Sequence, residues 1–468
     1  MSYFSLIYLG VFSLLISVLS FFNIIYAYYF NIYLSLDSYF YSLIISLIFG
    51  LLFIFKKKDN YKISIYHKIL TVILGFFLLP FIISIPFYLS IYNISFLDSY
   101  FETVSGFTST GFTIFENIKH LDQSLILWRS SSQWIGGLYF LSSIILLIDI
   151  FDNNLKKSLT NFITFDSTET LKQLTKILVL YSFLTLLIFL ILKVSDLRTF
   201  DSFNLSMTLI SSGGFLPFNN LSIVLNSNIK EVIFSFLMLI SFFSIFLSYN
   251  LIFLKNRNLN FFQEDLYLLI YFISLILVFF SFLNFEYDLS LLFFSLSSSV
   301  SNIGFSLENS PKNLSFIFLI LVIIGGSFFS TSSGIRFIKL YVLFKFSLNN
   351  LISHVKPKNV SINKQLFSEI SFDKLIINKY FLSVVIFIIS LLFLSSFLTF
   401  FGISFENSFK ISVLTLMNTV NSAMYGVEDF DFQKLQFIIK YFLIIFMIIG
   451  RVELLTILII MKKFLFKN

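Results

Sequence analysis

Chemistry in this chain is concentrated in short runs of hydroxyl, amide and glycine residues set between long apolar stretches. Ser109-Thr110-Gly111-Phe112, Ser212-Gly213-Gly214-Phe215 and Asn302-Ile303-Gly304-Phe305 share a closing Gly-Phe. A fourth run, Met417-Asn418-Thr419-Val420-Asn421-Ser422, keeps the polar character without the glycine. Residues of these types offer oxygen ligands: Ser and Thr hydroxyls coordinate directly, and glycine lets backbone carbonyls turn through φ values that other residues resist. A ring of carbonyl oxygens replaces the hydration shell of a cation, and potassium is the ion such a ring suits best.

Other chemistries find little support. There are no cysteines, and His67, His120 and His354 lie far apart with no i,i+4 pairing, which leaves thiolate, disulfide and histidine-metal chemistry without ligands. The acids Asp98, Glu102, Glu116 and Glu406 stand singly at the starts or ends of the polar runs. They do not make the grouped acids, metal or base that a membrane enzyme needs. Glu102 is expected to cap or anchor its helix, or to raise cation concentration at a pore mouth. No Gly-x-x-x-x-Gly-Lys-Ser/Thr or Gly-x-Gly-x-x-Gly motif is present, so no nucleotide site is expected. The chain is read as no enzyme, with no bound cofactor of its own.

The elements that position the polar runs are membrane segments. Of 468 residues, 57% are hydrophobic and 12% charged, with a mean hydropathy of +0.91. A soluble domain is roughly 25% charged, so the solvent of this chain is lipid. Apolar runs cover 3–29 and 37–55, then start near Lys68, Gln123, Leu174, Glu231, Leu266, Leu314, Tyr380 and Phe437. Each approaches the roughly 20 residues that cross a bilayer, which makes about ten spans. The first lacks the flanks of a cleaved signal and is expected to stay in the membrane. Basic residues cluster in alternate connections: Lys56, Lys57, Lys58, Lys62 and Lys68; Lys156, Lys157, Lys172 and Lys176; Lys255 and Arg257; 339–379; and Lys462, Lys463 and Lys467. The positive-inside rule makes these connections and both termini cytoplasmic. The net charge of +7 is therefore topology, and no nucleic-acid partner is expected.

Between the spans, 98–116, 200–218, 288–308 and 405–428 each join a short apolar segment to a small-residue run. The unit of helix, re-entrant hairpin and helix recurs four times at intervals of roughly 100 residues, an internal tandem repeat. The expected fold is an all-α polytopic membrane protein with four tandem helix, pore-hairpin, helix repeats around one pseudo-fourfold pore, plus two extra N-terminal helices. The expected divisions are 1–62 for the helix pair and 63–165, 166–258, 259–365 and 366–468 for the repeats. Irregular backbone at membrane depth survives only where protein buries it or water solvates it, so the hairpins are expected to converge on one aqueous axis.

The strings Ile85-Pro86-Phe87-Tyr88-Leu89-Ser90, Phe101-Glu102-Thr103-Val104-Ser105-Gly106-Phe107-Thr108-Ser109-Thr110-Gly111-Phe112, Leu127-Trp128-Arg129-Ser130 and Gln133-Trp134-Ile135-Gly136-Gly137 resemble the first repeat of Trk-type potassium uptake subunits, the TrkH/KtrB/HKT superfamily. The likeness continues at 211–215, 324–327, 330–336 and Gly450-Arg451-Val452-Glu453-Leu454, and the extra helix pair resembles the TrkH branch. The resemblance implies potassium transport through a selectivity filter gated by an intramembrane loop, with potassium as the transported ion. It implies as filter residues Thr108, Ser109, Thr110 and Gly111; Ser211, Ser212 and Gly213 or Gly214, with the register open by one; Ser301, Asn302, Ile303 and Gly304; and Asn418, Thr419, Val420 and Asn421. In the fourth run Asn421 is expected where the family has glycine, since asparagine tolerates positive φ best among other residues.

The resemblance assigns the gate to Gly325, Gly326, Ser327, Ser330, Thr331, Ser332, Ser333 and Gly334. Gly-Gly-Ser and Ser-Thr-Ser-Ser-Gly are also where a long helix opens, with close packing of small residues as the competing reading. Arg451 is expensive in lipid and needs a partner, with Glu453 or loop carbonyls as candidates. The family further implies a homodimer in a bacterial inner membrane and a cytoplasmic nucleotide-binding ring of the TrkA/KtrA type. The connections 151–171 and 346–373 are the surfaces offered to that ring. A sodium-permeable or weakly selective transporter of the same superfamily is the nearest alternative, with the retained Gly111 against it; a polytopic membrane enzyme is the distant one.

Overall fold

The computed structural model describes residues 3–55, 65–151, 170–248, 263–282, 288–355, 374–428 and 430–452. The two N-terminal runs form α1 (Tyr3–Tyr29) and α2 (Leu36–Phe55). Four sets follow, each with a first helix, a short helix and a second helix. They are α3 (Ile65–Ser90), α4 (Phe96–Phe107) and α5 (Gln123–Phe151); α6 (Thr170–Val194), α7 (Thr199–Ile210) and α8 (Asn228–Phe242); α9 (Gln263–Phe282), α10 (Leu289–Val300) and α11 (Ser315–Ile323), resuming as α12 (Phe337–Val355); and α13 (Lys374–Phe400), α14 (Phe405–Leu416) and α15 (Phe437–Val452). Among the described residues six helices, α1, α2, α3, α6, α9 and α13, are long and apolar enough to cross a membrane. The all-α, fourfold-repeated architecture with an extra helix pair is the one the hydropathy and the recurring hairpins predict.

The burial pattern is inverted relative to a soluble fold. Large apolar residues such as Phe49, Leu52, Ile270, Leu277, Leu392 and Phe393 are exposed, whereas Ser105, Ser206, Ser297, Ser298 and Ser299 are fully buried. Lipid solvates the exterior, and at the centre the hydroxyls of Ser206, Ser298 and Ser299 donate to the backbone carbonyls of Phe203, Phe305 and Ser295. The N-terminal pair packs through small residues: Ser13 Oγ donates to the Ser46 carbonyl at 2.6 Å, and a Cβ on Gly10 would lie 3.0 Å from the Gly50 carbonyl oxygen.

Pro80 and Pro86 interrupt the ladder of α3, and carbonyls beside them find side-chain donors. Tyr100 Oη donates to the Phe77 carbonyl at 3.0 Å and Trp128 Nε1 to the Ile83 carbonyl at 2.9 Å, which pins α4 and α5 to α3. Close approach then depends on glycine at two matching places. A Cβ on Gly136 of α5 would lie 2.0 Å from the Phe107 carbonyl oxygen, and one on Gly450 of α15 would lie 2.3 Å from that of Leu416. Phe107 and Leu416 are the last residues of their short helices, so in repeats 1 and 4 a backbone-close contact seats the short helix against the second helix.

The second helices of repeats 2 and 3 are broken instead. In repeat 3 the break falls where the Gly-Gly-Ser run predicts it. Ile324–Gly325 pairs in parallel with Ile335–Arg336, closing a loop between α11 and α12. The break in repeat 2, after Phe242 at Phe243 and Ser244, has no glycine or proline to announce it.

Candidate functional site

The four short helices are each 12 residues long and end at C-caps Thr108, Ser211, Ser301 and Met417. The residue after each cap is left-handed: Ser109 (φ 59°), Ser212 (55°), Asn302 (59°) and Asn418 (47°). Their amides donate three residues back, to the carbonyls of Gly106, Leu209, Ser299 and Thr415. This turn closes each helix and directs the following residues out of the helical ladder. The four polar runs are therefore one backbone motif made four times.

Hydrogen bonds join the runs in the order 1-2-3-4. Gln133 of α5 reaches repeat 2: with its amide nitrogen toward Thr208 Oγ1 at 3.1 Å, its oxygen accepts from the amides of Gly214 and Phe215, each at 3.0 Å. Ser212 Oγ donates to the Ser301 carbonyl at 2.5 Å, joining repeats 2 and 3. Asn302 Nδ2 reaches Thr419 Oγ1 at 3.4 Å, and Asn418 Nδ2 donates to Thr110 Oγ1 at 3.0 Å, closing the ring onto repeat 1. The same two amides tie to their own second helices, at the Val322 carbonyl (2.7 Å) and the Met447 carbonyl (2.9 Å).

Counting from the caps fixes the register. The third residue onward is Gly111, Gly214, Gly304 and Val420. Gly214, not Gly213, is thus the equivalent of Gly111; Gly213 takes the place of Thr110, where a Cβ would meet the side-chain amide of Gln133 at 2.4 Å. The fourth run departs from expectation: Val420 stands at the glycine place, and Asn421 lies one residue beyond it. The reason is that Asn418 makes the left-handed turn directly after Met417, which leaves only Thr419 before the glycine register. Valine is tolerated because positive φ is needed there only in repeats 1 and 3, at Gly111 (84°) and Gly304 (83°), and not at Gly214 or Val420. The half-buried Asn421 donates instead to the Val427 carbonyl at 3.2 Å.

A cavity of about 750 Å³ opens on this level, lined by Gly111, Gly214, Gly304, Val420 and Asn421 together with Glu116, Glu308, Glu428, Asp431, Lys312 and Lys434. The hydrogen bond from Lys434 holds the Asp431 carboxyl below the usual carboxylate range. Glu102 is not part of this surface. It is fully buried, and Arg129 Nε donates to it at 2.9 Å while the amide of Ile114 donates to its second oxygen at 2.9 Å. Arg129 also reaches Thr113 Oγ1 at 3.1 Å and the Leu216 carbonyl at 3.4 Å, with its guanidinium 4.1 Å from the Phe215 ring centroid. Glu102 therefore anchors α4, and through Arg129 it braces the chain leaving run 1 against the chain leaving run 2. Its expected alternative role as a charge at the mouth is excluded by burial.

On the other side of the runs lies the 325–334 loop. Its amides use the carbonyls that the break in α8 frees: Ser327 donates to Phe242 at 3.0 Å and Ser332 to Ser241 at 3.1 Å, while Ile245 donates to the Phe329 carbonyl at 3.2 Å. Glu264 accepts from the Phe328 amide at 3.0 Å and Asp265 from the Ser244 amide at 2.9 Å, so two neighbouring acids of α9 cap both breaks. Thr331 Oγ1 donates to the carbonyl of Ile210, the last residue of α7, at 2.8 Å. The guanidinium of Arg336 gathers the loop carbonyls of Ser327 and Ser332, each at 3.0 Å.

Arg451, buried, bonds the Ser333 hydroxyl, lies 3.4 Å from Ser109 Oγ and stacks 3.9 Å over the Phe140 ring centroid. Its partners are thus hydroxyls of the loop and of run 1. The loop carbonyls expected for it go to Arg336, and Glu453 lies outside the described residues. Arg336, Glu264, Asp265 and the α8 break were missed from sequence. Arg336 was visible as an ionisable residue inside an apolar run and Glu264 and Asp265 as acids at the start of one, and the break had no local signal.

The family model described as cation transport protein TrkH matches residues 36–284. The chain is 28% identical over 454 residues to an uncharacterized cation transporter of Methanocaldococcus jannaschii, covering 90% of this chain and 87% of that one. It is 24% identical to the Trk system potassium uptake protein TrkH of Escherichia coli K12, covering 86% of each. The crystal structure of the potassium transporter TrkH from Vibrio parahaemolyticus superposes with a TM-score of 0.82 at 19% identity, covering 98% of each chain, a likeness of fold.

Proposed function

The chain belongs to the TrkH family of cation transport proteins, and on that premise we propose that it conducts potassium along the axis enclosed by the four polar runs. Each pore repeat, 63–165, 166–258, 259–365 and 366–468, contributes one run. Carbonyls of Thr108, Ser109, Thr110 and Gly111, of Ser211, Ser212, Gly213 and Gly214, of Ser301, Asn302, Ile303 and Gly304, and of Asn418, Thr419 and Val420 line the filter. Each run follows the carboxyl end of a 12-residue helix, so four macrodipoles present partial negative charge to a dehydrated cation. The observation behind this reading is the cap and left-handed residue repeated four times in a hydrogen-bonded ring.

The 325–334 loop is the gate. It lies beneath the runs, held by hydrogen bonds from hydroxyls and two arginines rather than by packed helix, and water can solvate such a segment when it moves. Arg451 bridges run 1 and the loop, so its positive charge sits where a cation leaves the filter. Weak discrimination between potassium and sodium is the second reading, favoured by Val420 in place of a fourth glycine. A homodimer in a bacterial inner membrane, both termini cytoplasmic, and a nucleotide-binding partner of the TrkA/KtrA type complete the proposal. The partner's surfaces at 151–171 and 346–373, and most of the basic clusters, lie largely outside the described residues.

The test is uptake of rubidium and sodium in cells lacking their own potassium uptake. Wild type restores growth in low potassium, and Gly111→Ser shifts discrimination toward sodium, because a Cβ there would lie 2.6 Å from the Gly214 Cα. Unchanged growth and unchanged ion preference in the variant would overturn the filter assignment.

A further inference from the structure

The ring order makes repeats 2 and 4 opposite one another, yet Gly214 and Val420 touch. A Cβ on Gly214 would lie 2.5 Å from the Val420 Cβ, closer than any real pair of side chains, and one on Gly111 would lie 3.0 Å from the same atom. A Cβ on Gly304 would lie 3.0 Å from Val420 Cγ1. One isopropyl group therefore contacts the corresponding glycine of all three other repeats, including the one across the axis. Two opposite members of a ring in van der Waals contact leave no gap for an ion between them. Val420 is also half-exposed to the cavity that Gly111, Gly214 and Gly304 line, so it forms that cavity's floor.

We propose that the Val420 side chain is an apolar stopper across the outer end of the filter, displaced each time an ion passes. This inference rests on the filter reading given above and adds to it a residue whose side chain, not its backbone, obstructs the path in series with the loop. An apolar group at a narrow point excludes ions both by bulk and by dewetting. It acts from the outside, independently of the 325–334 loop beneath. The single valine suffices because the other three positions are glycine and cannot contribute bulk of their own.

The chain has no cysteine of its own, so Val420→Cys introduces the only thiol. The purified full chain is reconstituted in vesicles of phosphatidylethanolamine and phosphatidylglycerol, and rubidium flux is measured before and after a charged methanethiosulfonate reagent is added on the cavity side. Expected are complete modification by mass, loss of most of the flux, and recovery on reduction. A thiol that stays unmodified, or one modified without loss of flux, overturns the proposal. Val420→Ala and Val420→Gly should raise flux stepwise, about fivefold or more for glycine, and Val420→Ile should lower it. Flux at or below wild type in well-dispersed glycine and alanine variants counts against the stopper. Gly111→Ser separates the two ideas: if it changes ion preference while the Val420 series does nothing, only the stopper fails. If neither has an effect, the filter reading fails with it.

Discussion

The two ends of the proposed conduction path, the four polar runs and the 325–334 loop, are built differently. At the filter, four runs repeat one backbone motif and are tied to their neighbours, to α5 and α15, and by the buried Glu102–Arg129 pair. Beneath it the fourfold repetition stops. Among the described residues, repeats 1 and 4 have unbroken second helices seated by Gly136 and Gly450, whereas repeats 2 and 3 break theirs and exchange the freed amides and carbonyls through a loop. The filter end is determined by redundant contacts that exist only in the folded protein. The loop end has no helical ladder of its own and is held by Glu264, Arg336 and Arg451 and by the buried rings of Phe328 and Phe329. On the proposed reading, repetition serves to give a cation equivalent ligands, and its loss in two of four helices serves to give the gate a segment outside the helical packing.

If this contrast is right, damage at the filter end costs folding and damage at the loop end costs closure. The largest effect is expected from Glu102→Ala, which leaves Arg129 buried without its partner, a loss of about 3–5 kcal/mol. It should abolish well-dispersed protein in size-exclusion chromatography, and Glu102→Gln should do less. Next, Gly136→Ala forces a Cβ against the Phe107 carbonyl and should cost about 1–3 kcal/mol, read as a lowered melting temperature in detergent.

Deleting Phe328, Phe329 and Ser330 tests the other end: rubidium flux without any partner should rise about tenfold or more in protein that still runs well dispersed. A deletion that unfolds the protein would erase the distinction between the two ends. Arg451→Ala should act in the same direction and more weakly, because Arg336 still holds the loop carbonyls; no gain in flux would show that the bridge to Ser333 does not latch the loop. The smallest effect belongs to the cavity wall. Asp431 has a depressed pKa, so its contribution is present above the unfolded value of about 3.9 and is lost as pH falls through the lower folded value. Asp431→Asn should flatten the acid-side fall of the melting temperature below about pH 4 and leave flux at neutral pH unchanged.

The repeated architecture was legible because lipid imposes it. Apolar runs of spanning length, short runs that cannot span and glycine-hydroxyl clusters mark membrane depth residue by residue, and they recur often enough to identify each other. The loop in repeat 3 was equally legible, since Gly325, Gly326 and Gly334 are glycines inside an apolar helix. The break at Phe243 and Ser244 was not. Its backbone groups are satisfied by Asp265 and by the 325–334 loop, and a helix opens there only because distant partners are already in place.

Sequence by itself determined that this is a polytopic helical protein with four polar hairpins, and which residues compose them, because period, length and composition are properties of the chain. Only the tertiary structure decided that Val420 rather than Asn421 faces the three glycines. One residue of register depends on where Asn418 turns, and that turn depends on partners at Thr110 and Met447. Tertiary structure likewise decided that Arg336 holds the loop while Arg451 bridges it to Ser109. Both arginines are costly in lipid wherever they stand; Arg336 meets that cost with oxygens of its own loop, whereas the oxygens that Arg451 reaches lie on segments more than a hundred residues away.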